Sequence, residues 1–225
     1  MSAHHPDDLQ RIYDVRFSSN VEYRKRVWAA LIDHWFGRYV QPTDSVLDLG
    51  CGYGEFINAV RCRLKFAMDL NPDAVRFLVK EVTFLEQDCS ARWRLGDASL
   101  DVVFTSNFLE HLPDKTAVGR TLDEVHRCLR PGGRFVAMGP NVKYLPGEYW
   151  DFWDHHVPLS EASLREALVT RGFSVDVCLG RFLPYTMATG PQYPVQLLSV
   201  YLKMPFVWPL FGRQFLVVGS RPKVT

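Results

Sequence analysis

Short apolar runs alternate with amphipathic segments along most of this 225-residue chain. Apolar runs of about four to eight residues bounded by turn residues predict strands. The predicted strands are residues 45–50, 64–69, 83–87, 100–106, 134–139, 173–179 and 214–219. Helical patterns lie between them at residues 54–61, 72–80, 115–129 and 160–170, with Asn71 and Ser160 as predicted N-caps. The alternation predicts an α/β fold with a mostly parallel, doubly wound, seven-stranded sheet.

The two ends of the pattern carry features that this sheet does not need. An amphipathic pattern over residues 21–39 predicts a helix before the first strand. Residues 182–212 join the last two strands and contain five prolines, many aromatic side chains and one charge, Lys203. Connections this long are uncommon in compact domains unless they have a function. The segment is therefore either a flap packed on the core, a self-association surface or a lipid-facing surface.

The chain is expected to form one domain, because no repeat or linker divides residues 1–225. Its N-terminal helical part is 1–44, and its core comprises 45–181 and 213–220. The apolar insertion is 182–212. A chain of this length can bury a substantial hydrophobic core.

The composition is that of an ordinary globular protein, with 47% apolar and 23% charged residues and a formal net charge of +1. A charge this close to neutral gives no electrostatic argument for a nucleic-acid partner. The five cysteines form no C-x-x-C pair, which favours reduced thiols over a zinc or disulfide framework. Residues 1–10 lack the apolar stretch of a signal peptide, and no apolar run is long enough to predict a spanning helix. We therefore expect a cytoplasmic protein without a membrane-spanning segment.

The most specific pattern is the glycine-rich loop that follows the first predicted strand. Gly50, Gly52 and Gly54 allow the backbone to turn sharply and let a ligand contact N–H groups at the start of a helix. The dinucleotide fingerprint has a third glycine that packs helix on strand, but Glu55 occupies that position here. The pattern D-x-G-x-G-x-G, with Asp48 as its acid, instead resembles the first motif of class I S-adenosylmethionine (SAM) dependent methyltransferases.

Further motifs extend this resemblance. S-N-F-L-E-H-L at 106–112 resembles the fourth motif of the superfamily, and L-R-P-G-G-R-F at 129–135 resembles its turn into the fifth strand. The resemblance implies SAM as cofactor, a Rossmann-like sheet with an antiparallel last strand, and an N-terminal helical lid. A narrower resemblance, carried by residues 149–160 and 181–186, is to bacterial methyltransferases that accompany glycosyltransferases in surface-polysaccharide or glycolipid assembly.

The carboxyl ends of the predicted strands supply candidate partners for each part of SAM. Asp69, 21 residues after Asp48, is predicted to accept both ribose hydroxyls, with capping of the next helix as the alternative. Asp88 is predicted to meet the adenine amino group, with Glu86 as the alternative. Arg24 either meets the methionine carboxylate or faces solvent. The predicted cofactor-binding residues are Asp48, Gly50, Cys51, Gly52, Gly54, Asp69, Leu70, Asp88, Cys89, Asn107 and Phe108.

Methyl transfer requires the acceptor to lie in line with the methyl group and the leaving sulfur, and an oxygen or nitrogen acceptor also needs a base. Histidine has the right pKa range for this base. His155 is the preferred candidate, whereas His111 and His156 also have structural interpretations, and Asp154 or Asp151 would orient a ring. The predicted catalytic residues are His155, His156, His111 and Asp154. The histidine-rich loop favours O-methylation.

No metal is predicted. Asp151, Asp154, His155 and His156 offer oxygen and nitrogen ligands, but adjacent histidines rarely face one ion. The expected substrate is a small or glycan-like acceptor, including lipid-linked forms, and segment 182–212 leaves peripheral membrane contact and homodimerisation open. The alternatives are a non-catalytic SAM-binding scaffold and a nicotinamide-dependent oxidoreductase, against which the missing third glycine argues.

Overall fold

The computed structural model describes residues 21–185 and 192–223, and a seven-stranded sheet forms its centre. The strands are β1 (Ser45–Leu49), β2 (Leu64–Asp69), β3 (Val82–Glu86), β4 (Leu100–Ser106), β5 (Leu129–Pro140), β6 (Ser174–Leu179) and β7 (Gln214–Ser220). Their spatial order is β3-β2-β1-β4-β5-β7-β6. Strands β1 to β5 pair in parallel, whereas β7 runs antiparallel to its neighbours β5 and β6. The predicted α/β fold with an antiparallel last strand is confirmed.

Helices pack against both faces of this sheet. The α-helices are α1 (Val21–His34), α2 (Glu55–Ala59), α3 (Lys115–Cys128), α4 (Glu161–Val169), α5 (Val195–Leu202) and α6 (Trp208–Phe211). Short 3-10 helices cover Phe36–Tyr39, Pro72–Phe77, Leu109–His111, Glu148–Asp151 and Pro205–Val207. Within the described ranges, no helix is long and apolar enough to span a bilayer.

The side chains of β1 divide between two hydrophobic cores. Val46 packs in the core that includes α1, α2, α5 and α6, whereas Leu47 and Leu49 pack in the core that includes α3 and α4. All five residues of β1 are buried, as is typical of a parallel strand that is covered on both faces. The strand therefore lies at the centre of the molecule, and the glycine loop that follows it starts from a rigid support.

Most predicted elements agree with the structure, and the first and last residues of β2 and β4 are those predicted. The Asn71 side chain accepts a hydrogen bond from the Asp73 backbone N–H at 3.0 Å, and Ser160 forms a capping box with Ser163. These local hydrogen bonds explain why the helix starts were predictable, since they depend on residues two or three positions apart.

Three predicted elements differ from the structure. The helix predicted at 72–80 is a 3-10 helix that ends at Phe77. The helix predicted at 21–39 ends at His34, and the chain then turns so tightly that a Cβ at Gly37 would lie 2.7 Å from the Ile32 carbonyl oxygen. Strand β5 begins at Leu129 and not at 134, because its Pro-Gly-Gly sequence forms an irregularity within the ladder and does not end it.

The apolar insertion has two different faces. Trp35 lies 5.0 Å from Trp208 and 5.1 Å from Phe182 between ring centroids, so the inner face of the insertion packs on the segment after α1. The outer face leaves large apolar side chains exposed. They are Tyr193, Leu197, Val200, Phe206, Leu210 and Phe211. The insertion is therefore part of the core on one side and an apolar surface on the other.

Candidate functional site

The glycine loop leaves β1 in a conformation that favours glycine. Gly50, Gly52 and Gly54 have φ angles of +69°, +50° and +68°, which side chains rarely adopt. A Cβ at Gly50 would lie 2.2 Å from ring atoms of Phe108, which follows β4. The backbone N–H groups of Gly50 and Cys51 donate to the Met68 carbonyl oxygen at 2.9 and 3.1 Å. The loop is thus held between the ends of β2 and β4.

Asp69, the last residue of β2, is buried and contacts this loop. Its carboxylate accepts hydrogen bonds from the backbone N–H groups of Gly52 and Asn71, both at 2.9 Å. Burial raises the pKa of Asp69, although these hydrogen bonds oppose the shift. The side chain that caps the following 3-10 helix is Asn71, so capping does not require the Asp69 carboxylate.

Asp48 and Arg24 lie on the other side of the loop. Burial raises the pKa of Asp48 to about 8, against the effect of a hydrogen bond from the Ile57 backbone. Arg24 is also buried and pairs with Glu55 at 2.7 Å, and its guanidinium lies 4.8 Å from the centre of the Tyr53 ring. The interpretation of Arg24 as a solvent-facing residue is therefore wrong. The helix α1 is joined to the start of α2 by a buried ion pair.

The predicted adenine-side residues lie beyond β3. Asp88 is exposed, and its carboxylate accepts hydrogen bonds from the Ser90 backbone N–H at 2.8 Å and the Ser90 hydroxyl at 2.9 Å. Cys89 is buried against Thr121, and burial raises the pKa of its thiol to about 12. Leu70 is half-buried beside Asp69. These residues share one edge of the sheet with the glycine loop, because β1, β2 and β3 are parallel.

Asn107 follows β4 and carries an unsatisfied polar atom. Its φ of +50° is rare for a residue with a side chain, and such strain is frequent at functional sites. Its side-chain nitrogen donates to the Ser106 hydroxyl at 3.1 Å. Its side-chain oxygen Oδ1 is buried and has no hydrogen-bond partner among the described residues. A buried acceptor without a donor is destabilising by about 1–3 kcal/mol, so this atom fits a ligand that brings an N–H or O–H group.

Next to Asn107, two segments bring acidic and histidine side chains together. The 3-10 helix Leu109–His111 follows β4, and the loop between β5 and α4 returns to it. The backbone N–H groups of His156 and Val157 donate to the Glu110 carbonyl oxygen at 2.9 and 3.1 Å. Glu110, His111, Asp154 and His155 meet at this junction, and we call these four residues the acid–histidine cluster.

The contacts within the acid–histidine cluster are close. His111 Nδ1 lies 3.1 Å from the Asp154 carboxylate and 3.0 Å from the Asp154 carbonyl oxygen. The ring centroids of His111 and His155 are 4.8 Å apart, and Phe152 stacks on His155 at 4.9 Å. His111 Nε2 is 3.9 Å from Glu110 Oε1. The His111 ring is therefore held at Nδ1 by the Asp154 carboxylate, and its Nε2 faces the Glu110 carboxylate.

Burial and neighbouring charges determine the protonation of the cluster. Burial raises the pKa of Glu110 to about 7, and the charge of His111 opposes that shift. Burial lowers the pKa of His111, but the hydrogen bond to Asp154 and the charge of Glu110 outweigh it, so the pKa of His111 is raised. Glu110 therefore titrates closer to neutral pH than an exposed carboxylate does, next to an imidazole that is stabilised in its charged form, which suits proton chemistry.

The other side chains of the loop have different environments. His156 is exposed, whereas the predicted catalytic residues Asp154 and His155 are buried. Trp150 and Trp153 are also exposed, with Trp153 at 85% relative accessibility. Tyr149 is fully buried, donates from its hydroxyl to the Val157 carbonyl oxygen and accepts from the Leu159 N–H at 3.2 Å. It packs the loop on the core and does not form an exposed wall.

Glu110 is the site residue that sequence reasoning did not select. Its position next to His111 in the fourth motif was a possible signal, but nothing in the local sequence shows that this carboxylate is buried. Within the described residues, the ligand atoms of Glu110, His111 and His155 all lie within 4.8 Å of one another. Asp151 and His156, which the sequence offered as ligands, are exposed outside this group.

Comparisons with known proteins agree with this geometry. A family model described as a methyltransferase domain matches residues 47–137. A probable S-adenosylmethionine-dependent methyltransferase of Mycolicibacterium smegmatis is 32% identical over 143 residues, which cover 61% of this chain and 54% of that protein. A demethylmenaquinone methyltransferase of Symbiobacterium thermophilum is 22% identical over 232 residues, which cover 94% of this chain and 89% of that protein. The crystal structure of a SAM-dependent methyltransferase from Archaeoglobus fulgidus matches with a TM-score of 0.64 at 20% identity, over 88% of this chain and 96% of that one.

The sheet order, the glycine loop and these matches together define the class. The chain is similar to class I SAM-dependent methyltransferases, and the family model assigns a methyltransferase domain to its residues 47–137. It spans about half the length of the mycobacterial relatives that it matches. The cofactor that the family and the fold imply is SAM, and three features fit it: the positive-φ glycines that precede α2, the buried carboxylate of Asp69 and the Asn107 side-chain oxygen, which has no hydrogen-bond partner among the described residues.

Proposed function

We propose that this protein transfers a methyl group from SAM to an oxygen atom of a small or glycan-like acceptor. The observation that carries the proposal is the position of two half-sites at one edge of the sheet. The glycine loop and Asp69 follow β1 and β2, and the acid–histidine cluster follows β4 and β5. When bound, SAM supplies a methyl group that its positive sulfur makes electrophilic.

The residues of the first half-site have separate tasks in this proposal. Gly52 leaves room for the methionine part of SAM to lie against the backbone, whereas the space beside Gly54 is filled by Leu78. Asp69 accepts hydrogen bonds from the ribose hydroxyls, and Asn107 Oδ1 accepts one from the ammonium group. Arg24 holds α1 over the loop through its ion pair with Glu55, so the N-terminal helix acts as a lid.

The acid–histidine cluster supports an oxygen acceptor. A hydroxyl group must lose its proton as it gains the methyl group, and side chains that titrate near neutral pH assist that loss. His111 is held in one orientation by Asp154, which is how a ring that handles protons is positioned. The exposed rings of Trp150 and Trp153, on the same loop, suit stacking on a sugar.

We further propose that the outer face of the insertion contacts lipid, which brings the enzyme to a lipid-linked acceptor at the inner face of the cytoplasmic membrane. This face carries six exposed apolar side chains. Lys203 lies within the insertion, and Arg181 donates to its Pro209 carbonyl oxygen, so two basic side chains beside the face complement an anionic lipid surface. Self-association through the same face is the competing outcome.

Calorimetric titration with SAM and S-adenosylhomocysteine tests the cofactor part. Asp69→Asn is expected to weaken SAM binding by about 10–150-fold, as for the loss of a charged hydrogen bond. Asp176→Asn, on the far strand β6, is the matched control and keeps wild-type affinity. If neither compound binds the wild type, the proposed function is wrong. If SAM binds but mass spectrometry finds no methylated product across sugar and lipid-linked acceptors, the non-catalytic scaffold is favoured.

Vesicle co-sedimentation tests the lipid part. We expect binding to vesicles that contain phosphatidylglycerol and loss of binding when Phe206, Leu210 and Phe211 are replaced by serine. Val169→Ser, which changes an exposed apolar residue on α4, is the control and leaves binding unchanged. A wild type that ignores vesicles and forms a dimer in light scattering, which the same triple variant disrupts, would show a self-association face instead.

A further inference from the structure

Three side chains of the acid–histidine cluster offer a set of metal ligands. Glu110 and His111 come from the 3-10 helix after β4, and His155 comes from the loop after β5. Each provides one ligand atom, and the three atoms lie within 4.8 Å of one another. One carboxylate with two imidazoles is a donor set that binds divalent transition-metal ions in preference to Ca²⁺.

The environment of Glu110 points independently to a cation. Its side chain is only 2% exposed, and Oε1 has no hydrogen-bond partner in the described part of the chain. The 3.9 Å between Oε1 and His111 Nε2 is too long for a hydrogen bond. Two atoms that each lie about 2.0–2.2 Å from one ion can be up to about 4.4 Å apart, so a single ion fits between them. A buried carboxylate oxygen without a hydrogen-bond partner is costly, and a cation at this point would remove that cost.

The surroundings of His111 have the form that metal sites use to orient their ligands. Nδ1 of the ring contacts the Asp154 carboxylate at 3.1 Å, which leaves Nε2 directed toward Glu110. A carboxylate behind a histidine fixes the ring and increases its basicity as a ligand. The backbone hydrogen bonds from His156 and Val157 to Glu110 hold the two segments together without any ion. The two segments are thus held together before any ion binds, with the three ligand atoms within 4.8 Å of one another.

We propose that Glu110, His111 and His155 bind one divalent transition-metal ion of the Zn²⁺ or Mn²⁺ type, with Asp154 as the positioning residue of His111. Three protein ligands leave a coordination position open, as in catalytic metal sites. With the ion bound, His111 would act as a ligand and not as the proton acceptor: the ion would lower the pKa of the acceptor hydroxyl group as a Lewis acid, and the proton would leave to solvent. The role in catalysis rests on the proposed function, whereas binding of the ion does not.

The test uses the full chain after treatment with a chelator. Titration with Zn²⁺ is followed by calorimetry, and titration with Co²⁺ by its visible absorption, which reports the ligand type. We expect one ion per chain with nitrogen and oxygen ligands. Glu110→Gln and His155→Gln are expected to abolish stoichiometric binding, and Asp154→Asn to weaken it by about 10–100-fold. His156→Gln, the exposed neighbour of His155, is the matched control and binds as the wild type does.

Each outcome decides the proposal. No binding by the wild type, equal binding by the Glu110 and His155 variants, or a sulfur-to-cobalt absorption band that shows cysteine ligands would overturn it. Circular dichroism of each variant separates loss of ligands from loss of fold, and the wild-type cobalt spectrum remains decisive if a variant does not fold. SAM titration of the metal-free protein is run in parallel. SAM binding without metal binding refutes this inference alone, and metal binding without SAM binding refutes the proposed function alone.

Discussion

Replacement of Gly50 by alanine should damage both the fold and cofactor binding, for reasons that the structure allows to be separated. The residue has a φ of +69°, and this left-handed conformation is unfavourable for alanine by about 1–2 kcal/mol. The new Cβ would also lie 2.2 Å from the Phe108 ring, and overpacking of this kind is destabilising by about 1–3 kcal/mol. We therefore expect Gly50→Ala to lower the free energy of unfolding by about 2–5 kcal/mol.

The two contributions can be measured one at a time. Urea unfolding of Gly50→Ala, Phe108→Ala and the double variant gives a coupling energy for the ring overlap, because removal of the ring relieves the 2.2 Å contacts but leaves the Phe108 Cβ contact at 2.8 Å and the backbone strain. Gly147→Ala is the matched control, since its Cβ would meet no atom within 4 Å and its φ is −97°. SAM affinity, measured on the folded fraction, should fall in Gly50→Ala because Phe108 must move. A Gly50→Ala protein within about 0.5 kcal/mol of the wild type would refute this reasoning.

Three further predictions follow from the site and its supports. Arg24→Met should destabilise the protein by about 3 kcal/mol because it leaves Glu55 partly buried without its partner, whereas Lys25→Met, which removes an exposed pair, should change stability by less than about 1 kcal/mol in thermal unfolding. The folded-state pKa of Asp48 is raised to about 8, so its contribution to stability is full below the unfolded value near 3.8 and is lost as pH rises toward 8. Asp48→Asn should therefore show a flatter dependence of unfolding free energy on pH across that window, and parallel curves for the two proteins would contradict the assignment. His111→Gln should lower kcat by about 10²–10⁴-fold with SAM affinity unchanged, and equal losses of kcat and SAM affinity would indicate a structural role instead.

The parts of the fold that the sequence predicted well are those that depend on local pattern. β2 and β4 were predictable because each is a short, mostly apolar segment between turn residues, and the Ser160 cap was predictable because its partner is three residues away. The start of β5 at Leu129 was not predictable, because it depends on pairing with Leu100, which is distant in the sequence. A Pro-Gly-Gly sequence ends most elements, and only the neighbouring strand keeps this one in the ladder.

In the candidate site, too, some residues were predictable from local sequence and others were not. The glycine loop was recognisable because its function depends on residue types at fixed spacing. The burial of Glu110 and the exposure of His156 were not predictable, because both depend on how the loop after β5 returns to the end of β4. Three adjacent polar residues of that loop, Asp154, His155 and His156, have different environments, and periodicity does not predict which of them point inward in an irregular segment.

The apolar insertion leaves the sheet and returns to it at almost the same point. The Phe182 N–H donates to the Gln214 carbonyl oxygen at 2.7 Å, and the N–H groups of Arg213 and Gln214 donate to the Leu183 carbonyl oxygen at 2.8 and 2.9 Å. With its two ends joined by backbone hydrogen bonds, the segment can change length without any change in strand register. Doubling a flexible connection adds only about 0.6 kcal/mol of closure entropy. The segment can therefore be replaced or lengthened without disturbing the sheet, and a different surface at this position can direct the same core to a different location.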